Sequence, residues 1–383
     1  MEDLFGIENL FTQEEKLIRD VARRFVESEV IPTITDQFEK AEFSKNWIKR
    51  SGELGLLGMT LPDVGASHVA YGLVCQELER GDSALRSFVS VQSSLCMYPI
   101  FTYGSDKQRD RFLPKMKKGE CIGCFGLTEP DSGSDPASMK TTAKKVDGGW
   151  VLNGAKTWIT NATIADIAII WAKVDKDVRG FIVEKEFKGF SSQEIKHKLS
   201  LRASISGEII LQDCFVPQEN LLPGTDKGLA AALSCLTKAR SGIAWGAMGA
   251  AQACYEIALD YTKNRIQFGK PIASFQLIQS ALTNMLCEIV KAQTLNYQLA
   301  RMQDAGNATH VMVSMAKMNA CREALKIARE ARNLLGANGI SLEYHVIRHM
   351  NNLESVFTYE GTDNMHHLII GRHITGIDAF GGA

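Results

Sequence analysis

Charge of one sign is what this sequence most plainly lacks. Lys and Arg number 43 against 44 Asp and Glu, and no long run of either occurs. A protein that grips nucleic acid or an anionic membrane surface needs a basic patch, so neither is expected as a partner. Long apolar runs are missing too, since none approaches the about 20 residues that span a bilayer. The opening MEDLFGIENLFTQEEK is acidic, without the basic flank and apolar centre of a secretory signal or the Arg-rich pattern of a transit peptide. The chain is expected in a bacterial cytoplasm, or in the mitochondrial matrix as a matured chain.

Other familiar signals are absent as well. Nine cysteines are scattered through apolar surroundings, as befits reduced thiols packed as small hydrophobes. Cys121 and Cys124 form one CxxC without a second pair or a nearby His, which leaves a zinc or redox site without its other ligands. His345 and His349 have the i, i+4 spacing of a helical metal pair, but no Glu stands between them in the HExxH sense and no third ligand is evident. They are expected on an ordinary helix surface, and no metal is expected. Neither GxxxxGK[ST] nor a GxGxxG between strand and helix occurs, so a bound dinucleotide would be held by another route.

What is present divides along the chain. With 383 residues there is room for two or three units. The first 120 residues read as helical. Thr12 and Glu15 make a capping-box pattern, and Leu17, Ile18, Val21, Phe25 and Val30 supply an apolar stripe that Pro32 is expected to end. Further helices are expected over 47–57, 69–80, 84–103 and 107–117. From 121 to 217 the texture turns to short β-rich runs, with Asp147, Gly148 and Gly149 as a hairpin signal. Long helices then return. Ile278, Leu282, Met285, Ile289 and Ala292 share one face, the core stripe of a bundle, and Gly336 and Gly339 break the helices near 340.

Several short segments carry residue types suited to chemistry. In FGLTEPDSGSDP, 125–136, Gly133 clears a side chain where backbone would meet a ligand, and Ser132, Ser134 and successive N–H groups suit a pyrophosphate. A plain turn-rich loop reads the same way. In KTWITN, 156–161, Trp158 would lie against a flat ring while Thr160 donates a hydrogen bond to it; the alternative is a half-buried strand Trp. NRIQFGKPIASFQ, 264–276, joins two helices, with Gly269 and Pro271 as punctuation and Arg265 and Gln267 placed for phosphate or adenine groups. TYEGTDNMHH, 358–367, interrupts a helical region with Glu360 beside Gly361 and Thr362. It is either a solvated turn capped by Thr362 or Asp363, or a general base on a turn where backbone approaches a substrate.

In their joint order these segments resemble the acyl-CoA dehydrogenase family of flavoproteins along nearly the whole chain. The family's TEP followed by Gly-Ser-Asp, then W-[IV]-[ST]-N, R-x-Q-F-G-x-P, L-G-x-x-G and E-G-T, is met at residues 128–135, 158–161, 265–271, 335–339 and 360–362. The resemblance implies an α+β, mainly α fold: an N-terminal helical domain, a central β domain and a C-terminal four-helix bundle, divided at 1–120, 121–217 and 218–383. It implies FAD between the domains and across a subunit interface, in a homotetramer. Phe125, Leu127, Thr128, Gly133, Ser134, Trp158, Ile159 and Thr160 would meet the flavin and its pyrophosphate. Arg265, Gln276, Asn333, Gly336 and Ala337 from a neighbouring subunit would hold the adenosine end, and Gln267, Phe268, Phe275, Thr362, Asn364 and Phe380 complete the cofactor set. The family carries two glycines where Gly336 is followed here by Ala337, whose methyl is expected to crowd the adenine side. Glu360 is the implied catalytic base, with Gly361 admitting a close approach of backbone to substrate.

Within that family, ELERGDSALRSFVSVQSSL, 77–95, and RSGIAWGAMGAAQA, 240–253, resemble the glutaryl-CoA dehydrogenases. Arg86 has a plain explanation in Asp82, four residues earlier on a helix. By resemblance it faces instead the distal carboxylate of glutaryl-CoA, with Ser87 and Ser90 beside it and Glu79 and Tyr359 matching the decarboxylating enzymes. Arg240 and Ser134 would touch the thioester and pantetheine. The implied reaction is FAD-dependent oxidation and decarboxylation of glutaryl-CoA to crotonyl-CoA and CO2, with electrons passed to an electron-transfer flavoprotein. Two other readings are a short-chain monocarboxylic acyl-CoA dehydrogenase or oxidase on the same fold, and a catalytically silent acyl-CoA-binding protein.

Overall fold

Thr12 starts the first helix as its pattern predicts. In a computed structural model that describes residues 3–379, its hydroxyl accepts from the Glu15 N–H while the Glu15 carboxylate accepts from the Thr12 N–H. The helix so capped, α1 (Gln13–Phe25), does not end at Pro32. Val26–Val30 form a π turn and α2 (Ile31–Lys40) follows without a break in helical backbone, with Pro32 in its first turn. Next come α3 (Lys45–Glu53), which stops four residues short of the expected end, then α4 (His68–Gly81) and α5 (Ser83–Ser90). A second π turn, Val91–Met97, carries the chain from α5 into α6 (Tyr98–Tyr103), and α7 (Asp106–Lys117) closes the helical part.

The second π turn contains Gln92, fully buried. Its amide donates to Met116 O and Cys121 O, at 3.2 and 2.8 Å, and accepts from Gly123 N–H at 2.8 Å. A buried amide satisfied at both ends fixes where the first strand begins. The strands are β1 (Gly123–Gly126), β2 (Thr142–Val146), β3 (Gly149–Thr160), β4 (Ile167–Val174), β5 (Asp177–Glu184), β6 (Phe190–Glu194) and β7 (Ser206–Pro217), all in one sheet. The hairpin signal is borne out: β2 and β3 pair Val146 with Gly149 across a turn in which Gly148 has φ 73°. β4 runs parallel to β1 and antiparallel to β5, and its first six residues are all buried, as for a strand covered on both faces.

Helices then return as α8 (Leu229–Asn264), a small hairpin of β8 (Ile266–Gln267) and β9 (Lys270–Pro271), α9 (Gln276–Asp304), α10 (His310–Leu334), α11 (Val346–Thr358) and α12 (Asp363–Thr375). Of the stripe predicted on α9, Leu282, Met285, Ile289 and Ala292 are buried and Ile278 packs at its margin. α4 crosses α8 closely because α8 offers glycines: a Cβ at Gly242 would meet Tyr71 and Cys75, and one at Gly249 would strike Gln76 O at 1.9 Å. His349 departs from expectation. It is 1% exposed, packed beside Arg348 inside the fold, and burial holds its imidazole well below the usual histidine range. His345 takes φ 60° ahead of α11, and burial pushes it down to about 4. His349 lies on the inward face of α11 and His345 precedes the helix, so the i, i+4 spacing on a helix surface does not describe them.

No helix among the described residues is long and apolar enough to cross a membrane. All nine cysteines are free, and only Cys287 is exposed.

Candidate active site

α11 runs into Tyr359 and ends there, and α12 starts after Thr362, whose hydroxyl accepts from Met365 N–H at 3.4 Å. Between them lies Glu360 with φ 51°, a left-handed conformation that non-glycine residues adopt only under constraint. Gly361 follows with φ 101°; a Cβ on it would stand 3.0 Å from an Arg240 nitrogen and 3.2 Å from the His366 ring. The residue Glu360 is partly exposed as a whole, yet its Oε2 is sealed from solvent and has no hydrogen-bond partner. Burial raises its pKa, against the pull of Arg86, Arg240 and Lys317. A solvated turn would show neither feature.

Two cations hold this turn by its backbone. Arg240 on α8 donates from Nε to Glu360 O at 2.7 Å, and Lys317 on α10 donates from Nζ to Tyr359 O and Gly361 O, each at 2.7 Å. Lys317 is 1% exposed. It escaped the sequence reading, although Ala316, Ala320, Cys321 and Ala324 around it are the small apolar face of a buried helix, a pattern that marks a lysine as buried. His366 was missed too: fully buried, with neither ring nitrogen paired, its imidazole is pushed down to about 3 by burial and by Lys317 and Arg240.

Arg86 does not pair with Asp82. Asp82 sits between α4 and α5 with φ −162°, outside either helix, so the i, i+4 geometry fails. It caps α5 through Ala84 N–H at 2.7 Å and accepts from Arg348 and, at 2.9 Å, from Asn352. Arg86, 1% exposed, turns to the fully buried Glu79, Nε to Oε2 at 2.5 Å, and its Nη2 donates to the Tyr359 hydroxyl. Ser83 donates to the other Glu79 oxygen at 2.8 Å, and Ser87 Oγ lies 3.5 Å from the Tyr359 hydroxyl. Ser90 Oγ is buried without a partner. Burial works to lower the Arg86 pKa, but Glu79 and Tyr359 outweigh it and hold the guanidinium charged. The predicted residues Glu79, Arg86, Ser87, Tyr359, Glu360, Gly361 and Arg240 therefore form one connected group, with Ser90 one turn of α5 away.

On the sheet, β3 departs from regular pairing with β7 between Lys156 and Ile159, where two residues oppose one. Trp158 sits on that bulge with φ 59° and its indole 62% exposed, while Ile159 beside it is buried. Such a bulge turns an aromatic face outward, and a half-buried strand Trp is not what forms. Phe125 and Leu127 are buried at the end of β1, Thr128 O accepts from Thr157 N–H at 3.0 Å, and Gly133 and Ser134 lie exposed in a loop where nothing is within 4 Å of a Cβ placed on Gly133. Thr160 ends β3, partly buried. An outward indole, an open loop with free backbone and a sealed, unpartnered carboxylate are features that a flavin and an acyl thioester fit.

Arg265, Gln267, Phe268, Gln276, Asn333, Gly336 and Ala337 are all exposed, and Phe275 is half-buried against Phe268, ring centres 5.9 Å apart. Phe268 is 92% exposed with φ 51°. Within one chain these residues do not join the group around Glu360, and the Ala337 methyl meets solvent. Asn364 is exposed on α12. Phe380 lies outside the described residues. Surface hollows beside Arg19 and Gln76, and beside Tyr261 and His345, contain neither Glu360 nor Trp158.

A helical domain, a curled β domain and a helical bundle around a sealed carboxylate are the arrangement of an acyl-CoA dehydrogenase, and the chain belongs to that family. The family's N-terminal, middle and C-terminal domain models match residues 12–120, 124–214 and 226–375. Family members use FAD. A crystal structure of glutaryl-CoA dehydrogenase from Mycobacterium smegmatis superposes with a TM-score of 0.97 at 50% identity, covering 99% of both chains. A glutaryl-CoA dehydrogenase from the same organism in complex with FADH2 gives 0.97 at 47%, covering 99% of this chain and 98% of that one. The mitochondrial short-chain specific acyl-CoA dehydrogenase of Rattus norvegicus is 33% identical over 371 residues, 94% of this chain and 90% of the relative.

Proposed function

We propose that this chain oxidises glutaryl-CoA and decarboxylates the product to crotonyl-CoA, with Glu360 as the base. One observation carries the substrate choice: the charge balance of the group around Glu360. Arg86, Arg240 and Lys317 are three cations against the two carboxylates of Glu79 and Glu360. With Glu360 ionised, one positive charge is left over among these buried groups, and the distal carboxylate of a diacid balances it. A methyl-ended acyl chain does not, and leaves a buried cation uncompensated.

An α-proton of a thioester is a weak acid, so its removal needs a carboxylate whose proton affinity has been raised. Burial of Glu360 supplies this. The Glu360 N–H would donate to the thioester carbonyl as negative charge develops there. Trp158, Thr160 and the 125–134 loop would hold FAD, which would supply the acceptor for the β-hydride. Arg86, with Ser90 and the Tyr359 hydroxyl, would hold the distal carboxylate until CO2 leaves. Protonated Glu360 would then return its proton to the carbon that lost the carboxylate.

The exposed set from Arg265 to Ala337 is read as the adenosine contact offered to a second copy, in a homotetramer whose chains divide at 1–120, 121–217 and 218–383. An electron-transfer flavoprotein is the proposed acceptor. The free cysteines fit a reducing compartment such as the bacterial cytoplasm. A short-chain monocarboxylic dehydrogenase is the second reading, favoured by the likeness to the rat enzyme.

The deciding experiment compares kcat/KM for glutaryl-CoA and butyryl-CoA, with products weighed by mass spectrometry, in the wild type and in Arg86→Met combined with Glu79→Gln. The double change avoids stranding a buried carboxylate. A charge-assisted bond contributes about 1.5–3 kcal/mol, so glutaryl-CoA is expected to lose roughly ten- to a hundredfold more than butyryl-CoA. Equal losses, or no crotonyl-CoA from the wild type, would favour the monocarboxylic reading.

A further inference from the structure

We propose that Lys317 is the positioning residue of the base turn: its ammonium grips the peptide carbonyls on both sides of Glu360, and so aims the Glu360 N–H and sets the charge that its carboxylate faces. The inference rests on Glu360 being the base.

The geometry begins with the end of α11. A helix leaves its last carbonyls without intrahelical donors, and the chain here turns through a strained φ of 51° at Glu360. Lys317 Nζ reaches Tyr359 O and Gly361 O at 2.7 Å each, and Arg240 Nε takes Glu360 O between them at 2.7 Å. Three successive carbonyls are thus fixed on cations from α10 and α8. In a trans peptide the C=O and the following N–H point in opposite directions. Gripping Tyr359 O therefore turns the Glu360 N–H away from Lys317, and gripping Gly361 O does the same for the Thr362 N–H. The stem of Lys317 is itself immobile, 1% exposed among Ala316, Ala320 and Cys321. Its ammonium also stands 5.9 Å from the Tyr359 ring centre.

The groups facing Glu360 are few. They are Arg86 from α5, with its partner Glu79 from α4; Arg240 from α8; Lys317 and Cys321 from α10; Tyr359 on the turn; and His366 from α12. His366 is held neutral, since burial pushes it far down. Of the three cations, Arg86 is shared between Glu79 and the Tyr359 hydroxyl, which leaves Arg240 and Lys317 as the charges that bond the backbone of the turn. Removing Lys317 takes away two hydrogen bonds and one charge, so Glu360 becomes harder to ionise and less well aimed.

The test uses FAD-loaded Lys317→Met, which keeps most of the stem without donor or charge, and Lys317→Arg, which keeps the charge. In Lys317→Met the rate of flavin bleaching, by whichever of glutaryl-CoA or butyryl-CoA the wild type uses, is expected to fall roughly a hundredfold at neutral pH, with KM changed far less. The rising limb of its pH profile moves to higher pH. The infrared carboxyl band assigned through Glu360→Gln titrates higher as well, a reading independent of turnover. Lys317→Arg keeps the infrared midpoint near the wild-type value but stays slow, because the longer head cannot place donors on both carbonyls. If Lys317→Met does not fold, Lys317→Gln takes the same measurements. A neutral variant with the wild-type infrared midpoint and a rate within about twofold overturns the proposal. Bleaching that persists in Glu360→Gln overturns the base assignment instead, and the infrared midpoint still reports on Lys317.

Discussion

A Cβ on Gly246 would stand 2.1 Å from Glu79 Oε2, and 3.0 Å from Arg86 Nε. Bare backbone at this point of α8 is what makes room for the buried ion pair. Any side chain there displaces Glu79 or Arg86, and overpacking of this kind costs about 1–3 kcal/mol.

Gly246→Ala is therefore expected to fold with a lowered Tm and to lose kcat/KM for glutaryl-CoA by roughly tenfold or more. Butyryl-CoA, which makes no use of the distal cation, is expected to suffer less. Steady-state kinetics on both thioesters decide it: an equal loss would place selectivity elsewhere than in the pair.

The pair also shows how far the sequence was legible. Arg86 and Glu79 were picked out, but the i, i+4 spacing offered Asp82 as a plain partner for Arg86, although Gly81, Asp82 and Ser83 mark the break between α4 and α5 that undoes that geometry. The succession of helices, strands and helices was readable, since hydrophobic period and turn residues are local. The π turns at Val26–Val30 and Val91–Met97 were not, because one inserted residue in a helix is settled by tertiary packing, as at Gln92. Glu360 was visible through its glycine neighbour. Lys317 was hidden 43 residues before Glu360, and no local pattern reports a contact with a distant turn.

Glu360 gives a pH prediction whose sign follows from burial. Its folded pKa lies above the ordinary carboxylate value, so the folded protein binds this proton more tightly than the unfolded chain. The group favours folding at low pH, and that contribution is lost as pH rises through the raised value. Glu360→Gln is expected to have the higher Tm in neutral and alkaline buffer, with the two curves converging at acid pH. Activity runs the other way: wild-type flavin reduction climbs with pH as the base ionises, and the variant shows none. A Tm gap that widens toward acid would contradict the burial argument.

Trp158 separates cofactor binding from folding. Its indole is 62% exposed on the bulge, so Trp158→Ala removes little packing and is expected to leave the Tm of the FAD-free protein nearly unchanged. Aromatic stacking contributes about 0.5–1.5 kcal/mol beyond area. FAD affinity should drop roughly two- to tenfold by that measure, read as flavin lost on dilution by fluorescence. An unchanged affinity would remove Trp158 from the flavin contact.

The loop that precedes this bulge rests on a second buried ion pair, and its removal is expected to be felt twice. Lys156, fully buried, donates to Glu129 Oε1 at 2.8 Å and to Leu127 O at 3.1 Å. Glu129 also accepts from Thr141 N–H at 3.0 Å and Lys140 N–H at 2.5 Å, and so ties the 125–134 loop to the start of β2. Burial pushes the lysine pKa down to about 8, with Glu129 working against it. Lys156→Met strands the carboxylate, a loss of about 3–5 kcal/mol, whereas Lys156→Met with Glu129→Gln leaves a neutral amide whose oxygen still accepts from one of the two backbone N–H groups. The single variant is expected to unfold at lower urea and to release more FAD than the double. A double variant weaker than the single would show that the bonds of the Glu129 carboxylate to the Lys140 and Thr141 N–H groups, rather than its pairing with Lys156, hold the loop.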